Sequence, residues 1–280
     1  MSAEEWKLMD LVRWTTEFFK KHDLASPRLD AELLLAHVLD LKRMDLYLAF
    51  DQPVAVRDRT RYRELVRRRA KERWPVAYLT GVREFWSMEF RVTPDVLIPR
   101  PETETLVRVA LDLKPRRIVE LGVGSGCVSA ALARELPDAE IVALDCSPAA
   151  LEVASQNLAR LGFAERVALI EASSLVGLEG LFDLVVSNPP YVQAGELDDL
   201  APELRHEPRI ALDGGPDGLD AVRRLCLEAP ALLKRPGSLA LEIGFGQAEA
   251  VEALLRAAGA FGVESFPDLS GIPRVILGRF

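Results

Sequence analysis

The spacing of apolar positions divides the chain into three parts. Up to about residue 74, apolar residues recur at helical spacing, and Ser26-Pro27 is typical of a helix start before Leu33–Leu39. Two β-prone runs follow, Val76–Leu79 and Glu84–Val92, separated by Thr80-Gly81, and they predict a hairpin-like connector. We therefore predict a helical domain over residues 1–74, a β-hairpin linker over 75–98 and a further domain over 99–280.

The last part alternates short apolar runs with helical patterns, which predicts a doubly wound α/β sheet. The final two runs, near Gly262–Phe266 and Arg274–Leu277, fit a terminal antiparallel pair. The predicted strands are Arg117–Leu121, Glu140–Leu144, Arg166–Glu171, Phe182–Ser187, Ser238–Ile243, Gly262–Phe266 and Arg274–Leu277.

The strand Phe182–Ser187 ends abruptly at Asn188-Pro189-Pro190-Tyr191. Proline has no N–H for the ladder, so the strand stops and the polar groups fall at the carboxyl edge of the sheet, where open α/β folds bind ligands. An amide, free carbonyl groups and an aromatic ring are thus held in a stiff loop. An ordinary strand-to-loop turn can use the same residues, so the rest of the chain must decide between the two interpretations.

A second candidate site lies at Gly122-Val123-Gly124-Ser125-Gly126, between a strand and the helix that begins at Cys127. Glycines allow close backbone approach to a ligand, and the helix start offers free amides. Asp145 ends the next strand, where an acid can accept hydrogen bonds from ribose hydroxyls. Cys127 stands where a dinucleotide fingerprint needs its third glycine, so the pattern fits several nucleoside cofactors.

Two further segments are candidates for the walls of the site. Arg100 and Glu102 lie in a stiff, proline-containing loop, Leu97–Glu104, before the sheet. The irregular segment after Tyr191 ends in the glycine-rich stretch Asp213–Gly218, whose length and composition suggest a functional loop or lid.

Composition narrows the function classes. The chain has 280 residues, 49% apolar and 28% charged, as in globular proteins. Three scattered cysteines and three histidines show no metal-ligand spacing, so we expect reduced thiols, no metal and a cytoplasmic location. No apolar run or N-terminal pattern indicates a membrane span or signal peptide.

A net charge of −8 argues against nucleic acid as the main partner. Residues 57–73 depart from this average, with nine basic residues against three acidic ones. This basic segment is either the solvated face of a helix or a surface for an anionic protein or RNA.

Three of these patterns together resemble the class I S-adenosylmethionine methyltransferases: Glu120–Gly126, Asp145 and Asn188–Tyr191. The Asn-Pro-Pro-Tyr form is similar to that of members that methylate an amide or exocyclic amine nitrogen. Within them the chain resembles the HemK/PrmC family, which methylates the glutamine of the Gly-Gly-Gln motif in peptide chain release factors. The similarity spans nearly the whole length and includes segments outside the cofactor loop: Pro75–Gly81, Leu97–Glu104, Glu207–Gly218, Leu241–Gly244 and Asp268–Gly271.

The resemblance implies a seven-stranded, mostly parallel class I methyltransferase sheet and a glutamine-N5 methyltransferase that supports translation termination. It implies S-adenosyl-L-methionine as cofactor, S-adenosyl-L-homocysteine as product, no metal, and release-factor binding by the N-terminal domain. We expect no stable nucleic acid binding, no membrane association and a monomer. The implied cofactor-binding residues are Gly122, Val123, Gly124, Ser125, Gly126, Asp145, Ser173 and Asn188. The implied catalytic and substrate-binding residues are Asn188, Pro189, Pro190 and Tyr191, with Arg100 and Glu102 as further substrate contacts.

Two positions depart from the family pattern. Glu120 stands where the family more often has Asp before the glycine loop. Ser173-Ser174-Leu175 occupies a loop where the family commonly has Asp followed by a large apolar or aromatic residue near the adenine.

Three other functions stay open on the sequence. A DNA or RNA adenine-N6 methyltransferase would share Asn188–Tyr191, because adenine also presents an NH2 group on a planar ring. An NAD-linked oxidoreductase is disfavoured by Cys127 and by the lack of an obvious hydride partner. A non-catalytic scaffold on the same fold would not need the cofactor loop, the acid and the amide together.

Overall fold

The structure, a computed structural model, describes residues 6–280. The chain divides into two compact units. The first runs to Val82 and also includes Ala201–His206, and the second comprises Arg83–Leu200 and Glu207–Phe280. None of the described helices is long and apolar enough to cross a bilayer.

The first unit is helical. Leu8, Phe19, Leu34, Leu35 and Leu46 are at most 2% exposed and form the centre of its core. Helix α2 starts at Pro27, whose fixed φ and missing N–H suit the first helical position. The helices are α1 (Leu8–Lys20), α2 (Pro27–Leu39), α3 (Asp45–Leu48), α4 (Val56–Lys71) and α5 (Val76–Thr80).

The expected strand at Val76–Leu79 is wrong, because these residues form α5. Pro75 precedes the helix, and Gly81 ends it in the left-handed conformation with φ of 76°. Leu79 is buried in the helical core, so tertiary packing overrides the β propensity of the run.

A β-hairpin does follow, but with different bounds: β1 spans Val82–Phe85 and β2 spans Met88–Arg91. Its two-residue turn is Trp86-Ser87, both at φ of 52°, as a type I′ turn requires. Neither residue is a usual choice there, so the sequence carried no turn signal. Phe85 and Phe90 are buried in the core of the second unit, so the hairpin is part of that unit's packing.

The second unit is built on one seven-stranded sheet with the order β5-β4-β3-β6-β7-β9-β8. The first five of these strands are parallel, and β9 runs antiparallel to both β7 and β8. This confirms the predicted doubly wound, mostly parallel α/β fold. The strands are β3 (Arg117–Leu121), β4 (Glu140–Asp145), β5 (Val167–Glu171), β6 (Phe182–Ser187), β7 (Leu233–Glu242), β8 (Gly262–Pro267) and β9 (Pro273–Arg279).

Helices cover both faces of this sheet. Ile118 of β3 belongs to one core and the next residue, Val119, to the other, because successive side chains of a strand point to opposite faces. The first core includes residues of α6, α7 and α8, and the second includes residues of α9 and α10. The helices are α6 (Glu104–Asp112), α7 (Cys127–Glu135), α8 (Pro148–Leu161), α9 (Asp220–Leu232) and α10 (Ala248–Ala257).

The connection from β6 to α9 contains three short 3₁₀ turns, Ala194–Asp199, Pro202–His206 and Arg209–Ala211. The second turn belongs to the helical unit. There Glu203 accepts a hydrogen bond from Arg69 and pairs with Arg73, both at 3.0 Å, and the His206 ring stacks on Trp74 at 4.3 Å.

Several basic residues of the segment 57–73 pair with acids within the helical unit. Arg67 pairs with Glu64 and Glu72 on the surface. Arg69 is buried and pairs with Asp30 at 2.8 Å. Burial raises the pKa of Asp30, and the Arg69 guanidinium opposes that shift.

We expect Arg69→Met to lower the free energy of unfolding of the helical unit by about 3–5 kcal/mol, because it leaves the Asp30 carboxylate buried without its partner. The matched control is Arg67→Met on the same helix, where loss of an exposed pair should cost about 0–1 kcal/mol. Urea unfolding followed by tryptophan fluorescence measures this unit, since three of the four tryptophans lie in it. Equal losses in the two variants would contradict a stabilising role of the Asp30–Arg69 pair.

Candidate active site

A cavity of about 560 Å³ opens at the carboxyl ends of the parallel strands in the second unit. Its wall combines the residues that follow β3, β4, β5 and β6 with the loop before α6 and the segment that leads into α9. This is the edge at which open α/β sheets bind ligands.

The glycine loop forms one side of the cavity. The N–H groups of Gly122 and Val123 both donate to the Leu144 carbonyl, at 2.8 and 2.9 Å, which ties the loop to the end of β4. Gly122, Gly124 and Gly126 all have positive φ, at 85°, 52° and 81°, a conformation that glycine adopts most easily. A Cβ on Gly124 would meet nothing within 4 Å, so the backbone here faces open space. The loop is therefore a shaped cradle that a ligand can approach closely.

A buried amide holds this loop from behind. Asn157 of α8 is fully buried, and its Nδ2 donates to the carbonyls of Ser125 and Arg91, both at 2.9 Å. Its Oδ1 accepts from the Arg91 N–H at 2.8 Å. The conformation of the cradle thus depends on a side chain about thirty residues further along the chain.

Asp145 ends β4 and lies in the wall of the same cavity. Its carboxylate accepts hydrogen bonds from the Gly124 N–H at 2.9 Å and from the Ser147 N–H at 3.0 Å. These bonds fix the carboxylate, and each oxygen keeps further lone pairs for hydroxyl donors of a ligand.

Glu120, which lies just before the glycine loop, is 2% exposed and is hydrogen-bonded to the Ser129 hydroxyl. Burial raises the pKa of Glu120 to about 8, and the nearby Asp145 charge adds to the increase. An acid whose pKa is raised in a cavity wall is typical of a functional site.

Asn188 follows β6 directly and adjoins the cradle. Ser187 Oγ donates to the Leu121 carbonyl at 2.6 Å, which joins the ends of β6 and β3. A Cβ on Gly122 would lie 3.9 Å from the Asn188 carbonyl oxygen, so the two sequence motifs meet. Asn188 Nδ2 donates to Thr103 Oγ1 at 3.2 Å.

The glycine-rich segment Asp213–Gly218 packs against the backbone that follows Asn188. Gly214 N–H donates to the Val192 carbonyl at 2.8 Å, and Val192 N–H donates to the Leu212 carbonyl at 2.9 Å. A Cβ on Gly214 would lie only 2.7 Å from the Pro190 carbonyl oxygen. This segment was predicted to be a functional loop or lid, and the structure shows it hydrogen-bonded alongside the candidate site.

Arg100 and Ser173 both lie in the cavity wall. Arg100 is paired with the buried Glu207 at 2.6 Å, and Glu207 also accepts from the Ile98 N–H at 3.1 Å. The Ser173 carbonyl accepts from Arg224 at 3.0 Å. Their places in the wall are therefore held by contacts within the second unit.

Tyr191 and Glu102 are placed differently from Asn188, Pro189 and Pro190. Those three residues line the cavity, whereas Tyr191 and Glu102 lie outside its wall. The Tyr191 ring packs against Gly244, where a Cβ would be 3.0 Å from Cδ2, and its carbonyl accepts from Gln247 at 3.0 Å.

Thr103, Glu207 and Glu242 are site neighbours for which the sequence predicted no role. Each is at most 6% exposed, and each contacts or lies close to a predicted site residue. An acid inside an apolar strand pattern, as Glu242 is in β7, was one local signal, and all three residues lie in segments that resemble the family pattern. Within residues 6–280, no three His, Cys, Asp or Glu side chains are arranged to hold a metal ion.

Comparison with known proteins identifies relatives over the full length. Residues 10–81 match the family described as PrmC N-terminal domain, and residues 101–234 match the methyltransferase small domain. The chain is 42% identical to a release factor glutamine methyltransferase of Geobacter sulfurreducens, over 99% of this chain and 98% of that protein. It is 46% identical to one of Moorella thermoacetica, over 90% of each chain.

Solved structures with the same fold are more distant in sequence. The hMettl16 catalytic domain in complex with MAT2A 3'UTR hairpin 1 has a TM-score of 0.60 and 14% identity, over 87% of this chain and 90% of that one. A methyltransferase from Pyrococcus furiosus has a TM-score of 0.53 and 18% identity, over 70% and 90%. These two similarities show the fold alone.

We expect Gly214→Ala to lower the free energy of unfolding by about 1–3 kcal/mol, because its methyl group would overlap the Pro190 carbonyl. The matched control is Gly195→Ala, whose Cβ would meet nothing within 4 Å and which should stay within about 0.5 kcal/mol of the wild type. Urea unfolding of the three proteins measures the difference. Equal stability of both variants would show that the Gly214 contact is not tight.

Between about pH 5 and 8 the free energy of unfolding should fall as pH rises, because the unfolded chain loses the Glu120 proton while the folded chain keeps it. Glu120→Gln removes this titrating carboxyl group, so the free energy of unfolding of the variant should decrease less steeply with pH over the same interval. The exposed Gln193→Ala, which changes no titratable group, is the control and should reproduce the wild-type profile. Denaturant unfolding at several pH values tests this, and an unchanged slope in Glu120→Gln would contradict it.

Proposed function

Since the chain belongs to the release factor glutamine methyltransferase family, we propose that it transfers the methyl group of S-adenosyl-L-methionine to the glutamine side-chain amide of a peptide chain release factor. The observation that carries this proposal is the meeting of the glycine cradle with Asn188 in one cavity. The product would be an N5-methylglutamine in the Gly-Gly-Gln motif, which supports translation termination in the cytoplasm.

The cavity has the features that this cofactor needs. Gly122 to Gly126 would cradle it, Asp145 would accept hydrogen bonds from the ribose hydroxyls, and Ser173 would line the same cavity. The cavity wall contains two arginines, Arg100 and Arg224, and each of them has an acceptor within the second unit. It also contains five acids: Asp95, Glu120, Asp145, Asp213 and Asp220. Asp213 and Asp220 pair with Arg209 and Arg223, and burial raises the pKa of Glu120, so Asp95 and Asp145 are the wall carboxylates that would favour a cationic ligand.

The bound cofactor would supply an electrophilic methyl group on a positively charged sulfur. An amide nitrogen is a poor nucleophile because its lone pair is delocalised into the carbonyl. The chain must therefore hold the glutamine NH2 group in line and accept its hydrogens. Asn188 Oδ1 is suited to one of them, because Nδ2 of the same side chain is already engaged by Thr103. The carbonyl of Pro189 would accept the other.

Other site residues would shape the acceptor pocket. Pro190 and Tyr191 would restrict the amide plane, with the Tyr191 ring held against Gly244. Arg100, fixed by Glu207, and the neighbouring Glu102 would contact the protein substrate. We assign release-factor recognition to the N-terminal helical unit, whose residues 10–81 match the PrmC N-terminal domain.

An adenine-N6 methyltransferase is the alternative that shares Asn188–Tyr191. A nucleic acid acceptor brings phosphates to the site, and the acidic cavity wall opposes them. The relatives over the full length are glutamine methyltransferases, and the RNA-bound structure shares the fold alone.

Asn188→Ala should reduce methyl transfer to purified release factor by at least about 100-fold while largely retaining cofactor binding in calorimetry. The matched control is Gln193→Ala, which removes an exposed side-chain amide five residues away and should keep wild-type turnover. Labelled cofactor measures the transfer, mass spectrometry locates the methyl group, and DNA and rRNA serve as competing acceptors. A near-normal rate for Asn188→Ala would contradict the mechanism, and methylation of nucleic acid alone would contradict the proposed substrate.

A further inference from the structure

Asn188 reaches its hydrogen-bond partner across a large sequence separation. Its Nδ2 donates to Thr103 Oγ1 at 3.2 Å, and Thr103 is 2% exposed at the end of the 3₁₀ turn Pro101–Thr103. Thr103 also lines the cavity. The side chain that would face the methyl acceptor is therefore supported by a buried hydroxyl.

The Thr103 hydroxyl lies close enough to the carboxylate of Glu242, the last residue of β7, to lower its pKa. Glu242 is 2% exposed, and its Oε2 has no hydrogen-bond partner among the described residues. Ser187 pairs with Leu241 in the parallel register of β6 and β7, so Asn188 and Glu242 leave the sheet side by side. Neither apolar packing nor an ion pair explains an acid at this position.

The number of hydrogens on Thr103 and Glu242 decides which group donates in each contact between Asn188, Thr103 and Glu242. A threonine hydroxyl has one proton to donate, and a carboxylate can only accept. When Glu242 accepts the Thr103 proton, Thr103 can only accept from its other neighbour. Asn188 must then turn its NH2 group towards Thr103, which leaves its oxygen free for the cavity.

We propose that Thr103 and Glu242 are positioning residues, which act through Asn188 by fixing its amide so that Oδ1 faces the methyl acceptor. This inference rests on the proposed function, since it assigns a purpose to the orientation of Asn188. It accounts for the burial of Glu242 and for the engagement of Asn188 Nδ2.

The ionisation of Glu242 bears on this arrangement. The charged and titratable groups around Glu242 are Arg100, Glu102, Tyr191, Arg274 and Cys127. Burial raises the pKa of Glu242 to about 7, Glu102 raises it further, and the Thr103 hydroxyl and the two arginines oppose the increase. A protonated Glu242 can donate to Thr103, which frees the Thr103 proton for Asn188 Oδ1 and permits the wrong amide orientation.

The first test uses Thr103→Val, which keeps the shape of the side chain and removes the hydroxyl. We expect kcat for release-factor methylation to fall about 10- to 100-fold, with KM for cofactor and protein within about threefold, because the contact acts on the orientation of Asn188. Thr103→Ser should recover kcat to within about threefold of the wild type.

Thr105→Val is the matched control, because Thr105 is 4% exposed two residues away and its hydroxyl accepts from Arg108. It should keep wild-type kcat. If Thr103→Val and Thr105→Val have the same kcat, the inference is overturned while the proposed function stands.

The second test is the pH profile of Glu242→Gln at saturating cofactor. Wild-type kcat should rise as pH increases through about 7, because ionised Glu242 accepts from Thr103. Glu242→Gln should lack this rise and show about tenfold lower kcat at pH 8. A rise of unchanged size and midpoint in Glu242→Gln would overturn the role of Glu242.

A third measurement does not depend on the substrate. The Asn188 side-chain NH2 signals, identified by their loss in Asn188→Asp, can be followed by ¹⁵N NMR in the protein alone. They should shift in Thr103→Val and in Glu242→Gln and stay unchanged in Thr105→Val. If the wild type fails to methylate release factor, the proposed function fails, and these signals still decide the inference: unshifted signals in both variants overturn it.

Discussion

The parallel register of β3, β6 and β7 is the constraint on which the candidate site depends. Glu120 pairs with Val186, and Ser187 pairs with Leu241, so three strands end at the same level of the sheet. Pro189 and Pro190 then prevent β6 from continuing. The hydrogen bond from Ser187 to the Leu121 carbonyl joins two of the ends at 2.6 Å. Because of this alignment the glycine cradle, Asn188 and Glu242 emerge next to one another, although more than 100 residues separate the first from the last.

Burial of carboxyl groups at this edge costs free energy, and the chain offsets this cost in different ways. The negative charge of the buried Glu207 carboxylate is stabilised by the Arg100 guanidinium and the Ile98 N–H. Glu120 is hydrogen-bonded to the Ser129 hydroxyl, Glu242 lies near the Thr103 hydroxyl, and burial raises the pKa of both acids. Hydroxyl partners stabilise a buried carboxylate less than a cation does, so these two acids stay responsive to charge. A positively charged ligand entering the cavity would therefore favour ionisation of the nearer acid, Glu120.

Local patterns in the sequence predicted those parts of the molecule whose conformation depends on neighbouring residues in the chain. The sheet strands follow from apolar runs, and the cradle follows from glycines between a strand and a helix, as the φ values of Gly122, Gly124 and Gly126 show. Long-range packing decided the rest. Helix α5 forms because Leu79 enters a helical core, Trp86-Ser87 turns without a glycine, and Thr103 meets Asn188 across 85 residues. The inclusion of Ala201–His206 in the helical unit likewise depends on Glu203 and His206 meeting distant residues.

The Asn-Pro-Pro-Tyr loop alone does not select between an amide and an adenine, because both present an NH2 group on a planar system. Selection must come from what surrounds the loop. The two arginines in the cavity wall are engaged, Arg100 by Glu207 and Arg224 by the Ser173 carbonyl, and five acids share that wall. A phosphate backbone near this opening would meet arginines that are already engaged and the carboxylates of Asp95 and Asp145, whereas an uncharged glutamine side chain carries no such penalty. Adenine and a glutamine amide are both uncharged, so charge can select between them only through the phosphates that flank a base.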